Sequence, residues 1–143
     1  MHTIRQILEK KGDVIWSVSP DANVYDAITL MARKGIGALV VLKDGRLHGI
    51  ISERDYARKV VLEGRSSRET RVEDICTSPA ITIAPQAMAE EGLALMTRKR
   101  FRHLPVAERG DLLGLVSIGD LVDAVIGDQQ KLIEQLERYV AGY

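Results

Sequence analysis

The sequence predicts an α/β (α+β) fold made of two β-α-β-β-α repeats that pack as a pseudo-twofold pair. Three observations support this class: an internal repeat, the same order of apolar periodicities in both copies, and the chain length of 143 residues. A chain of this length with 45% hydrophobic residues can bury one compact core or two small ones. Little of the chain is therefore left for a separate catalytic domain.

The internal repeat has a period of 65 positions, the separation of Pro20 and Pro85, and it holds without a gap. Similarity at a fixed period indicates a duplicated structural unit. One layer of strands and one of helices cannot cover both faces of a sheet, so we expect the copies to pack against each other. Matched residues include Leu30 and Leu95, Met31 and Met96, Val41 and Val106, Gly45 and Gly110, Gly49 and Gly114, Ser52 and Ser117, and Asp55 and Asp120.

Each copy begins with a short β-rich segment, at 14–18 and at 81–83, that ends in a proline turn. A helix follows in each copy, because apolar residues recur at i, i+3, i+4 and i+7. Gly35 marks the end of the first of these helices. The predicted buried stripes are Val24, Ala27, Ile28 and Met31 in the first copy, and Ala89, Gly92, Leu93 and Met96 in the second.

Two apolar strands and a second helix complete each copy. Asp44-Gly45 predicts a tight hairpin turn between the strands, and Gly110 holds the matching place. The second helices begin at Ser52 and Ser117. The predicted strands are 38–42, 47–51, 104–107 and 112–116. Further helices are predicted at 3–11, 72–75 and 129–140.

We divide the chain into a first repeat at 8–65, a second repeat at 72–130 and a C-terminal helical tail at 131–143. Lys+Arg and Asp+Glu both total 20, so no overall positive field would attract a nucleic-acid polymer or an acidic membrane. No apolar run approaches the ~20 residues of a membrane span. A cytoplasmic protein is expected. The single cysteine excludes an intramolecular disulfide, and the three histidines lack metal-ligand spacing.

The repeated Ser-x-x-Asp motif has two interpretations. An aspartate carboxylate can accept hydrogen bonds from both hydroxyls of a ribose, and a serine at a helix N-terminus lies where backbone N–H groups favour a phosphate. Alternatively, serine and aspartate form a capping box that satisfies the first N–H groups of the helix. For a single motif the capping box is the favoured interpretation; the occurrence of the motif in both copies, together with the family resemblance given below, favours the nucleotide interpretation.

The order of a proline turn, a helix, Gly-Ala-Leu-Val-Val and Gly-x-Ile-Ile-Ser-x-x-Asp resembles a CBS motif, and two in tandem resemble a CBS pair, or Bateman module. Segments 36–41, 52–56, 64–67 and 114–120 resemble small stand-alone bacterial CBS-pair proteins and their plant mitochondrial relatives. The resemblance implies a non-catalytic regulator in signal transduction or energy sensing, usually a homodimer, that signals to a protein target. It implies an adenine nucleotide in the cleft between the repeats: AMP first, with ATP, NAD(H) or S-adenosylmethionine as alternatives.

The resemblance also implies two unequal nucleotide sites. Only the second repeat carries a basic pair, Arg102-His103, where the first has Gly37-Ala38. Arg102 can instead be a solvated charge, and His103 a strand-end residue bonded to backbone. The main site comprises Arg102, His103, Ser117 and Asp120 with Ser19, Ile36 and Gly37. The weaker site comprises Ser52, Arg54, Asp55 and Thr82.

Alternatives to this function remain open. A redox-linked or purely structural scaffold would act through protein contacts, with Cys76 as its redox handle. An enzyme is disfavoured, since Ser117 and Asp120 share one helical turn and no nucleophile elbow or metal set is present. Trp16 can stack on an adenine, although a strand tryptophan is more often core or interface. Extra apolar surface on the second helices, at 60–62 and 121–126, favours a homodimer.

Overall fold

The computed structural model describes residues 1–12 and 14–142. Positions 13 and 143, which belong to the predicted repeat 8–65 and the predicted tail 131–143, lie outside the described residues. The mixture and order of helices and strands confirm the predicted α+β class. In chain order the elements are α1 (Ile4–Lys11), β1 (Ser17–Val18), α2 (Val24–Lys34), β2 (Ala38–Lys43), β3 (Arg46–Ser52), α3 (Glu53–Tyr56) with a π-helical continuation (Ala57–Val61), α4 (Val72–Ile75), α5 (Ala89–Lys99), β4 (His103–Glu108), β5 (Asp111–Ser117) and α6 (Ile118–Val140).

The chain divides into two units, each holding most of one repeat. The first-repeat unit comprises Val14–Ile81 and Gly110–Leu112, and the second-repeat unit comprises Met1–Asp13, Thr82–Arg109 and Leu113–Tyr143. Helix α1 therefore groups with the second repeat, although residues 8–11 fall within the predicted first repeat. The reason is burial: the apolar face of α1 packs into the core of the second repeat.

In the first-repeat unit, β1 runs parallel to β2, and β2 pairs antiparallel with β3. The predicted hairpin turn is confirmed: Asp44 and Gly45 both have positive φ, 52° and 76°, as a two-residue primed turn requires. Helix α2 begins at its N-cap Asn23 and ends at Gly35, which is left-handed. The core contains Val24, Ala27, Met31, Leu39, Val41, Ile51, Val60, Val72 and Ile75.

The second repeat has the same hairpin, formed by β4 and β5. Helix α1 lies so close to β5 that a Cβ placed on Gly114 would be 2.7 Å from Leu8 Cδ2. Close packing of this helix thus depends on a glycine in the strand. The core contains Ile4, Ile7, Ile83, Ala89, Met96, Leu104, Val106, Val116 and Leu121.

The first strand predicted for the second repeat, 81–83, is wrong. The segment makes a single parallel bridge, in which the Ile83 N–H donates to the Pro105 carbonyl (3.0 Å) and the Ala107 N–H donates to the Ile83 carbonyl (3.1 Å). The next donors of a parallel ladder would be Pro85 and Pro105, and proline has no N–H. The matching strand β1 is itself shorter than the predicted 14–18.

Helix α6 is 23 residues long and continues unbroken through the predicted boundary at 130/131. The residues of the predicted tail up to Val140 thus extend the second helix of the repeat. Among the helices of residues 1–12 and 14–142, none combines the length and apolar character needed to cross a membrane.

Candidate functional site

Both Ser-x-x-Asp motifs lie at helix starts and form reciprocal capping boxes. At α3, the Ser52 N–H donates to Asp55 Oδ2 (2.9 Å) and the Asp55 N–H donates to Ser52 Oγ (3.2 Å). At α6, the Ser117 N–H donates to Asp120 Oδ2 (2.8 Å) and the Asp120 N–H donates to Ser117 Oγ (3.1 Å). The capping interpretation therefore describes the geometry of both motifs. Capping also orients the two carboxylates, which is compatible with a ligand role.

Each carboxylate is also paired with a lysine that was not among the predicted site residues. Lys59 Nζ lies 3.2 Å from Asp55 Oδ1 and donates to the Ile75 carbonyl (2.9 Å). Lys11 Nζ donates to Asp120 Oδ2 (2.6 Å) and to the Leu115 carbonyl (2.9 Å). The i,i+4 spacing of Asp55 and Lys59 is a readable signal for the first pair. No local pattern signals the second, because Lys11 and Asp120 are 109 positions apart.

The residue before each hairpin is bonded to the start of the following helix. The Gly37 carbonyl accepts from the Glu53 N–H (3.0 Å), and the Arg102 carbonyl accepts from the Ile118 N–H (2.8 Å). These contacts bring Arg102 and its neighbour His103 beside the capped start of α6. In the first repeat, the equivalent contact places Gly37, which has no side chain, beside the start of α3, so no charge is added there.

The second-repeat unit thus gathers three basic residues, Lys11, Arg102 and His103, and one carboxylate, Asp120. Burial lowers the pKa of His103, and the positive charges of Lys11 and Arg102 lower it further. The negative charge of Asp120 acts in the opposite direction but offsets only part of this lowering. Burial raises the pKa of Asp120, but hydrogen bonds from Lys11 and Ser117 outweigh it and hold that pKa below its ordinary value. At neutral pH the group therefore holds an ionised Asp120, a neutral His103 and two cations.

The remaining predicted site residues are divided between the units. Ser52, Arg54 and Asp55 belong to the first-repeat unit, whereas the exposed Thr82 belongs to the second-repeat unit. Three further residues assigned to the main site also belong to the first-repeat unit. Among them, Ser19 donates to Asp21 Oδ1 (2.6 Å), the Ile36 N–H donates to the Met31 carbonyl (3.1 Å), and Gly37 bonds to Glu53 as described.

Two other residues singled out in the sequence have local roles. Trp16 is 38% exposed, and Lys34 Nζ lies 4.1 Å from the centre of its ring, a cation–π contact at the surface. Cys76 is half-buried, and burial, followed by the charge of Asp55, raises the pKa of its thiol. A thiol with a raised pKa is a poor nucleophile.

The duplicated α-β-β-α unit is preceded by strand β1 in the first copy and by a single bridge at Ile83 in the second. With a capped Ser-x-x-Asp helix in each copy, it defines a tandem CBS-domain protein. A CBS domain model matches residues 4–62 and 72–127. The chain belongs to the CBS domain family.

Relatives of known description agree with this assignment. The mitochondrial CBS domain-containing protein CBSX3 of Arabidopsis thaliana is 40% identical, over 98% of this chain and 72% of that protein. A solved structure of a CBS-domain protein from Burkholderia ambifaria MC40-6 is 53% identical, with a TM-score of 0.86 over 90% of this chain and 96% of that one. The fold is also shared with PAE2072 of Pyrobaculum aerophilum, solved in complex with AMP, at 24% identity and a TM-score of 0.74 over 83% of this chain and 89% of that one.

Proposed function

We propose that the protein is a non-catalytic regulatory module that binds an adenine nucleotide, AMP first, and signals its presence to a partner protein. The observation that carries this proposal is the grouping of Lys11, Asp120 and Arg102 about His103, beside the start of α6. The AMP bound by the Pyrobaculum protein supports the choice of ligand, because that protein shares the fold. We expect a cytoplasmic location, although the Arabidopsis relative is named as mitochondrial.

The chemistry of the group fits a nucleoside monophosphate. Asp120 is ionised, so its carboxylate can accept hydrogen bonds from ribose hydroxyls. Gly119, at the second position of α6, is exposed and has no side chain, so a phosphate can approach the positive end of a long helix there. Arg102 adds a fixed charge, and a phosphate beside His103 would favour the protonated imidazole.

Isothermal titration with AMP, ATP, NADH and S-adenosylmethionine tests this function. We expect saturable binding of AMP, weakened about tenfold or more by Asp120→Asn, the scale of a lost charge-assisted hydrogen bond. Asp55→Asn is the matched control, since it removes the same capping carboxylate from the first repeat. Absence of heat and of a thermal shift with all four ligands would contradict the proposal and leave a protein-binding scaffold.

The redox version of a scaffold is not favoured by the state of Cys76. Its raised pKa keeps the thiol protonated at neutral pH, and its side chain packs against the core of the first repeat. Cys76→Ser is therefore expected to leave nucleotide and partner binding unchanged. Loss of partner binding with intact nucleotide binding would instead support the redox scaffold.

We also propose that α6 forms the contact of a homodimer. One side of this helix carries an apolar stripe whose members lie three, four or seven residues apart and are 37% to 85% exposed. An exposed apolar stripe of this kind marks an association surface, and a second copy of α6 offers a matching face. The stripe consists of Ile118, Val122, Ile126, Ile133, Leu136 and Val140.

Sedimentation equilibrium at micromolar concentration tests the homodimer. We expect a dimer that Leu136→Glu converts to monomer, because a carboxylate would have to be buried at the contact. The control is Lys131→Glu, a change at an exposed polar position of the same helix. A monomeric wild-type protein would contradict the proposal.

A further inference from the structure

One cation of the second-repeat group comes from outside the repeat. Lys11 is the last residue of α1, and its ammonium donates to both Asp120 Oδ2 (2.6 Å) and the Leu115 carbonyl (2.9 Å). In the first repeat, the corresponding carboxylate Asp55 pairs with Lys59 from its own helical segment. The N-terminal helix thus supplies the second repeat with a charge that the duplicated unit lacks at that place.

Lys11 is held in position by an anchored helix. Ile4 and Ile7 are buried in the core of the second repeat, and Leu8 packs on Gly114. At the start of α1, the Arg5 N–H donates to the Pro85 carbonyl (2.9 Å). The packing of α1 therefore places the backbone of Lys11 beside α6, and the hydrogen bonds to Asp120 and Leu115 position its ammonium.

The ammonium also retains capacity for a ligand. A lysine has three N–H donors, and two of them are used by Asp120 and Leu115. The side chain is 40% exposed, so a solute can reach the third. The ion pair also compensates the charge of Asp120, which would otherwise repel a phosphate placed beside it.

We propose that Lys11 is a ligand-binding residue that makes the second-repeat site selective for a phosphate-bearing nucleoside over the nucleoside itself. This inference rests on the proposed function. While ribose hydroxyls bond to the carboxylate, Lys11 neutralises Asp120 and donates its third N–H to a phosphate oxygen. Adenosine has no phosphate, so Lys11 can affect its binding only indirectly, through the charge and position of Asp120.

Paired titrations of AMP and adenosine test the inference. We expect Lys11→Gln to weaken AMP binding about tenfold or more, the loss of one charge-assisted contact, and to change adenosine binding by less than about threefold. Lys11→Arg keeps the charge and should retain most of the preference for AMP. The control is Lys10→Gln, which removes a neighbouring exposed lysine of α1 and should change neither affinity.

Three results would overturn the role of Lys11. Equal weakening of both ligands would mean that Lys11 only positions Asp120, and unchanged affinities would mean that it does not contact the ligand. Tighter binding by the Gln variant would mean that Lys11 competes with the ligand for Asp120. If the wild-type protein binds neither compound, the proposed function fails together with the inference. If the wild-type protein binds AMP, the results for the Lys11 variants test only the role of Lys11.

Discussion

The two Ser-x-x-Asp groups share a capping geometry but differ in the residues around it. In Ser52 with Asp55 and in Ser117 with Asp120, the two hydrogen bonds donated by backbone N–H groups agree in length to within 0.1 Å. The flanking position is Gly37 in one repeat and Arg102 in the other. The two repeats therefore share the residues that start the helix. They differ in charge at position 37 or 102, where only the backbone carbonyl bonds to the helix start, so the side chain there can vary.

The largest effect is expected where the two repeats are most alike, in their cores. Met31 and Met96 occupy matching helix positions and are each 1% exposed. We predict that Met31→Ala and Met96→Ala each lower the free energy of unfolding by about 2–5 kcal/mol, because each leaves a cavity in a close-packed core. Urea unfolding measures both. A loss for one variant of less than about 1 kcal/mol would break the equivalence of the cores.

A smaller effect is expected from the charge that distinguishes the repeats. Arg102→Gln removes the charge of the residue that directly precedes β4 and keeps the backbone carbonyl that bonds to Ile118. We predict about tenfold weaker AMP binding with little change in stability. Arg54→Gln in the first repeat is the comparison and should weaken binding by less than about twofold. A reversed order would make the first repeat the main site.

The smallest predicted effect is a pH dependence of stability from His103. Its pKa is lowered in the folded protein, so below the ordinary value of about 6.5 the unfolded chain binds more protons than the folded one. The stability of the wild-type protein should therefore fall relative to His103→Gln as the pH drops from 7.5 to 5.5. Urea unfolding at several pH values measures the difference. Parallel curves would contradict the burial of a neutral imidazole.

Local sequence patterns correctly predicted the turns and helix ends that depend on residues within one repeat. The hairpin turn at Asp44-Gly45, the end of α2 at Gly35 and the helix starts at Ser52 and Ser117 depend on neighbouring residues, and the structure has each of them. The nucleotide-binding role of the site residues stays a prediction.

Features decided by distant residues could not be predicted in this way. The apolar segment 81–83 resembles a strand, but its ladder ends because of prolines, one of which lies in the partner strand β4. The ion pair of Lys11 and Asp120 depends on where α1 packs, and the period of the repeat says nothing about that helix.

The packing of α1 has a consequence for the order in which the chain can fold during synthesis. The core of the first repeat is drawn from positions between Val24 and Ile75, so it can close as soon as that stretch has left the ribosome. The partners of Ile4 and Ile7 extend to Leu121. Helix α1 must therefore wait, with its apolar face uncovered, until the residues up to Leu121 have emerged.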